Sequence, residues 1–197
     1  MTFMIDAGSI VLTHEKMTEA WHVAEWEHGP VGFLALVAEQ HRANFDLWHE
    51  EDRARDPFAS DAEVAWVKRA IDRLNQRRND LVEKMDSWVL TDFPDQNADA
   101  PLNSETPGLM IDRLSILALR IYHMKVEALR ETATEAQRIR NADRLSLLEE
   151  QRRDLAGCLD GLVGGIVSGT RRFKLYRQMK MYNDPELNPV MYGRSGS

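Results

Sequence analysis

Polar and titratable side chains interrupt the apolar stripes of this chain at helical spacing, and their types suit capture of a polar anion followed by proton transfer. In the segment Val64 to Trp88, the stripe Val64, Val67, Ile71, Leu74, Leu81, Met85, Trp88 has one cationic member, Arg78. Lys68, Asp72, Asn75 and Asn79 run beside it at three- and four-residue steps, so their side chains meet along one flank. Arg78 and Lys68 are expected to pair with anionic groups, and Asn75 and Asn79 to hydrogen-bond to hydroxyls.

A second stretch repeats the habit. His41, Asn44, Trp48 and Asp52 share a helical face, with His49 one step round it. In a third, Asp112 and His123 lie beside the clean stripe Met110, Leu114, Leu117, Ile121, Met124, with Arg113 and Arg120 close by. His49, Asp52 and His123 are the candidates for acid–base work, a histidine moving the proton and a carboxylate (Asp52, Asp72 or Asp112) orienting it. A buried Arg or His is costly unless paired. Two readings therefore stay open: interhelical ion pairs that fix register, or a polar pocket between helices, where bundles place their sites.

The elements that would carry these residues are all helical. Apolar periodicity predicts about five long helices: Thr13 to Glu27, ended by His28-Gly29-Pro30; Val31 to Arg55; a third starting after Ser60-Asp61 as N-cap and running to about Val89; Thr106 to about Thr132, with Pro107 in first position, or on through Arg144 with or without a break near Asn141; and Asn141 to Met181. Thr91 to Asn103 is a polar, Pro-broken loop, and no alternating run suggests a strand. The expectation is an all-α antiparallel bundle, with one domain over 1–183 and an extended tail over 184–197.

Gly157, Gly161, Gly165 and Gly169 stand four apart in the last helix. That costs helix propensity and calls for close packing of a neighbouring backbone, a ligand's approach, or a break. The basic run Arg171, Arg172, Lys174, Arg177, Lys180, with Tyr176 and Tyr182, follows it; it reads as a cationic rim for phosphate groups or as a face complementing the helix dipole. The start at Thr106-Pro107-Gly108 offers free N–H groups to an anion or to a cap.

The net charge of −7 argues against general nucleic-acid binding. One cysteine, Cys158, excludes an internal disulfide and fits a reducing cytoplasm; its apolar helical context suggests a buried, inert thiol. No signal peptide or membrane span is expected. Five of the six histidines fall within the first 49 residues, and Glu19-x-x-His22 and Glu25-x-x-His28 copy a di-iron spacing. Both fall on one helix, whereas that chemistry needs facing helices, so no metal is assigned. P-loop, dinucleotide and nucleophile-elbow motifs are absent, which leaves any cofactor unknown.

Three blocks, Ala43 to Pro57, Val67 to Asp86 and Leu102 to Met124, with the C-terminal Lys180 to Pro189, resemble the bacterial domain of unknown function 4254 family. The core Pro-Gly-x-x-Ile-Asp-Arg-Leu-Ser-Ile-Leu also resembles a motif of another small uncharacterised helical family. Both occur near glycosyltransferases of surface-polysaccharide loci, so the resemblance implies a role in glycan or sugar-nucleotide metabolism and supplies no catalytic residues. The function expected is binding of a polar, phosphorylated or sugar-containing small molecule. The alternative is a non-catalytic accessory protein that docks on a glycosyltransferase or self-associates.

Overall fold

The computed structural model describes residues 5–23, 29–177 and 185–192. It contains α1 (Ala7–Val23), α2 (Phe33–Arg53), α3 (Asp61–Asp92), α4 (Pro107–Leu129), α5 (Glu135–Val167) and the single turn α6 (Pro189–Tyr192). Among the described residues there is no strand, only one isolated bridge between Leu102 and Arg172. The all-α bundle expected from periodicity is what forms.

Local chemistry sets the helix starts. The Asp6 carboxylate accepts the N–H groups of Gly8 (3.2 Å) and Ser9 (2.8 Å), which begins α1 at Ala7 rather than at Thr13. Ser60 and Glu63 form a reciprocal capping box on α3. Thr134 and Gln137 form another on α5, so that helix starts at Glu135 instead of Asn141.

The end of α5 also differs from expectation. The helix stops at Val167, Gly169 takes φ 70°, and the chain folds back with Thr170 and Arg171 donating to the Gly165 carbonyl. The first part of the basic run is therefore not helical. Arg172 instead donates through Nε to the Ala100 carbonyl and pins the returning chain to the 93–106 loop. Gly157 and Gly161 face open space, which removes helix packing as their reason. The tail is not wholly extended, since α6 lies within it. Glu25, His28, Lys180, Met181 and Tyr182 lie outside the described residues.

Cross-helix contacts fix the directions. Arg53 covers the Trp66 ring at one end of the α2–α3 pair and Phe33 meets Trp88 at the other, so α3 runs back along α2. Asp86 reaches Gly108 and Arg78 reaches Asp112, which makes α4 antiparallel to α3. Asn141 reaches the Glu127 carbonyl, and α5 returns along α4. α1 runs the same way as α2 and α4: His14 meets His41 and His22 meets His49.

The main core is built from Phe33, Val37, Met85, Ile111, Leu114 and Leu159 with their neighbours, and a small second cluster joins Leu47, Val67 and Ile71. Each residue comes from an apolar stripe at three- and four-residue spacing. The stripe ends at Val64 and Trp88 stay 39% and 40% exposed, although Val89 beside Trp88 is fully buried in the main core.

Candidate functional site

Where α1, α2 and α4 run side by side, they bury a linear hydrogen-bond network. Asp112 Oδ1 accepts from Gln40 Nε2 at 2.6 Å and from Asn44 Nδ2 at 2.9 Å. The second N–H of Asn44 goes to Ser115 Oγ at 2.9 Å, and Ser115 meets His41 Nδ1 at 2.7 Å. His41 Nε2 contacts Thr18 Oγ1 at 2.8 Å, while the Thr18 hydroxyl donates to the His14 carbonyl. A hydroxyl has one proton, so Thr18 must accept from His41 Nε2–H. His41 Nδ1 is then the acceptor for the Ser115 hydroxyl.

That tautomer is neutral, and the surroundings agree. Burial pushes the His41 pKa down to about 3, against a smaller opposing backbone hydrogen bond at His14. His14 is held well below its ordinary value, first by burial and then by His41, whose ring centroid is 4.6 Å away. His41 is thus a satisfied interior residue and not a contact for a ligand.

The network's outer end holds Arg78. Asp112 Oδ1 lies 3.9 Å from Arg78 Nε, and their side chains are 14% and 28% exposed. Arg78 Nε is buried and makes no hydrogen bond. Its charge has a carboxylate nearby but is not engaged in close geometry.

Arg78 forms one wall of a cleft of about 390 Å³ between α2, α3 and α4. Asn44, Asp52, Asn75 and Trp48 line it, as do Arg55 and Arg120. Arg55 is held by Glu51 at 2.6 Å, whereas Arg120 has no ion pair or side-chain hydrogen bond among the described residues. Glu51 and Asp52 also line it, so three guanidinium groups face two carboxylates, and the net positive charge with two amides and an aromatic ring can hold an anion with attached hydroxyls.

The proton-transfer candidates gather at the adjoining end. His22, His49 and His123 form a triangle with ring centroids 5.3 to 6.2 Å apart, and His123 stacks on Trp48 at 4.5 Å. Burial lowers the pKa of His49 and of His123, His22 lowers both further, and Asp52 opposes. Trp48 therefore joins this cluster to the cleft, with Asp52 acting on both histidines. Among the described residues no three His, Cys, Asp or Glu side chains are grouped so as to hold a metal ion.

Of the expected site residues, Asn44, Asp52, Asn75 and Arg78 line the cleft; besides His41, Asp112 and the histidine cluster, Lys68, Asp72, Asn79 and Arg113 lie outside it. Lys68 and Asp72 are exposed and pair with each other along α3. Both meet solvent instead of a neighbouring helix. Arg113 points to the other side of α4 and is held by both oxygens of Glu105, at 2.8 and 2.9 Å. Asn79 is buried and does not line the cleft.

The Thr106-Pro107-Gly108 start holds no exogenous anion, because Asp86 occupies it. Oδ1 accepts Gly108 N–H at 2.7 Å and Oδ2 accepts the Thr106 hydroxyl at 2.6 Å. Burial raises the Asp86 pKa to about 6 despite these bonds. Cys158 is exposed, contrary to the reading of a buried thiol.

Thr18, Gln40 and Ser115 complete the network, and a pattern of charged intrusions does not reveal them. They are uncharged and sit one turn from residues that were singled out. Ser115 inside the α4 stripe, three residues after Asp112, was the available signal. His22 was weighed only as a metal ligand, and Arg55 and Arg120 not as ligand contacts.

No curated protein and no solved structure matches the chain. A family model described as a protein of unknown function, DUF4254, matches residues 34–175, from the start of α2 to beyond α5. That stretch is well over half of the chain and contains the whole cleft, so the protein belongs to the DUF4254 family.

Proposed function

We propose that the protein binds an anionic, hydroxylated small molecule, such as a sugar phosphate, in the cleft between α2, α3 and α4. The observation that carries this reading is Arg78, a half-buried guanidinium with a buried, hydrogen-bond-free Nε. It stands beside Asp112, at the wall of a cleft that two further arginines line. A guanidinium engaged only at 3.9 Å gains more from a bidentate phosphoryl partner than a fully paired one would. Asn44 and Asn75 supply amide contacts for hydroxyl groups. His49 or His123, with Asp52, is the proton-transfer group if a reaction follows binding. We place this binding, as part of the proposal, in surface-glycan synthesis in the bacterial cytoplasm, the setting that the family resemblance implies.

The test is a thermal-shift series with inorganic phosphate, sugar phosphates and sugar nucleotides. A ligand at about 100 times its dissociation constant stabilises by roughly 2.7 kcal/mol. The shift should vanish in Arg78→Ala and Asn75→Ala. A panel without any shift, or a shift that survives both substitutions, sinks the proposal.

A second reading has its own support. Val126, Leu129, Ile139 and Leu147, near the loop end of the α4–α5 hairpin, are 53%, 79%, 55% and 54% exposed. Apolar side chains there suit self-association or docking on a glycosyltransferase. Sedimentation of the wild type beside Leu129→Glu measures it; identical monomers in both would remove self-association.

A further inference from the structure

We propose that the ligand site continues over α4 into a second cleft, and that Arg120 is the anchor shared by its two halves. This rests on the reading of the first cleft as a ligand site and adds the shape and chemical class of the ligand, a phosphate ester of a polyol. The second cleft, about 570 Å³, lies between α4 and α5. Ile116 and Arg120 line both clefts, so the two meet along that edge of α4.

The linings divide the chemistry. The first cleft carries Arg55, Arg78 and Arg120 and suits the phosphoryl group. The second has a buried apolar floor of Met110, Leu117 and Leu155, 4%, 8% and 7% exposed. Above that floor stand Gln151 and Asp154, neither with a side-chain hydrogen bond or ion pair among the described residues. An amide and a carboxylate over aliphatic side chains suit a sugar-like ring, with hydroxyls for the polar pair and a C–H face for the floor. Each cleft also carries two carboxylates, Glu51 and Asp52 in the first and Glu105 and Asp154 in the second, and Glu51 and Glu105 hold Arg55 and Arg113. The first cleft alone adds Arg78, whose Nε makes no hydrogen bond, and that orients the ester with its anion toward Arg78 and Arg120. Arg113, the other cation of the second cleft, is already held by Glu105.

Cys158 lines the second cleft, is exposed, and is the only cysteine of the chain, so its reaction rate reports on that half alone. Labelling by Ellman's reagent is measured with glucose 1-phosphate, galactose 1-phosphate, mannose 1-phosphate and inorganic phosphate. At ten times its dissociation constant a ligand leaves about one tenth of sites free, so a spanning ester slows labelling about tenfold. Inorganic phosphate, confined to the first cleft, should leave the rate nearly unchanged. Arg120→Ala and Gln151→Ala, both altering uncommitted side chains, should each abolish or weaken protection by the ester, measured against the unliganded rate of the same variant. A hexose phosphate that raises Tm through Arg78 yet leaves Cys158 labelling unchanged overturns the second subsite and leaves the first standing. Absence of both Tm shift and protection overturns both.

Discussion

Asp86 holds the start of α4 through Gly108, its Oδ1 accepting the Gly108 N–H at 2.7 Å from near the C-terminal end of α3. The contact ties α3 to α4 about two turns from Arg78 and about one turn from Asp112, and so fixes the angle at which α4 presents Asp112. It also carries a pH dependence. The folded chain keeps the Asp86 proton to about pH 6, whereas the ordinary value is 3.8. This group therefore favours folding fully below pH 3.8, and its contribution fades as pH rises to about 6. Asp86→Asn keeps an acceptor for Gly108 and cannot ionise. The stability of the wild type relative to this variant should fall between pH 4 and 6 in urea titrations. A constant difference across that window would refute the argument. Asp86→Ala leaves Thr106 and Gly108 without their acceptor and should cost roughly 1–3 kcal/mol.

Glycine substitutions should divide by surroundings and not by propensity. A methyl group on Gly108 would stand 2.6 Å from the Val82 carbonyl and 2.9 Å from Asp86 Oδ1, and backbone cannot yield as a side-chain tip does. Gly108→Ala should destabilise by about 1–3 kcal/mol although alanine is the better helix former. Gly157 and Gly161 have nothing within 4 Å. Alanine at either should stabilise by roughly 0.5–1 kcal/mol. Equal effects at Gly108 and Gly157 by denaturant titration would contradict the close approach of α3 to α4.

His14 gives the fold an acid limit. Its ring is fully buried, and neither ring nitrogen has a partner. Both His14 and His41 stay neutral in the folded chain well below 6.5, while the unfolded chain takes up protons near that value. Their contribution is thus complete above pH 6.5 and is lost progressively as pH falls toward about 3. This slope opposes that of Asp86 across the same range, so only a comparison of variants separates them. His14→Leu removes one of the two protonation sites. It should lose less stability than the wild type between pH 7.5 and 5, read by thermal melts. An unchanged slope would place the acid sensitivity elsewhere.

Helix existence was readable because each core stripe repeats at three and four residues over long runs, as from Val67 to Met85. Helix ends were readable only where a side chain caps them, as at Ser60 and Thr106. The end of α5 was not, because apolar residues continue past Val167 and only the positive φ of Gly169 turns the chain. In the site, periodicity found which residues share a face of one helix, and Asn44, Asn75, Arg78 and Asp112 do meet between helices. It could not say where a neighbouring helix stops covering that face. Lys68 and Arg78 lie on the same helix, ten residues apart, yet the first is solvated and the second is beside Asp112.

That contrast sets the last expectation. The Lys68–Asp72 pair has side chains 65% and 52% exposed. Exposed ion pairs contribute little, about 0–1 kcal/mol, so Lys68→Ala should leave stability and ligand-induced shifts nearly as they are. Asp112→Ala removes the acceptor shared by Gln40 and Asn44 and leaves Arg78 without its carboxylate. Unsatisfied interior donors beside an unpaired, half-buried charge should cost about 2–4 kcal/mol. Pairing Asp112→Ala with Arg78→Met should recover part of that loss, because the stranded charge goes with the arginine. Denaturant titration of the single and double variants measures the coupling. Full additivity of the two substitutions would mean that Arg78 and Asp112 do not depend on each other, and the network would then have no part in presenting the guanidinium to the cleft.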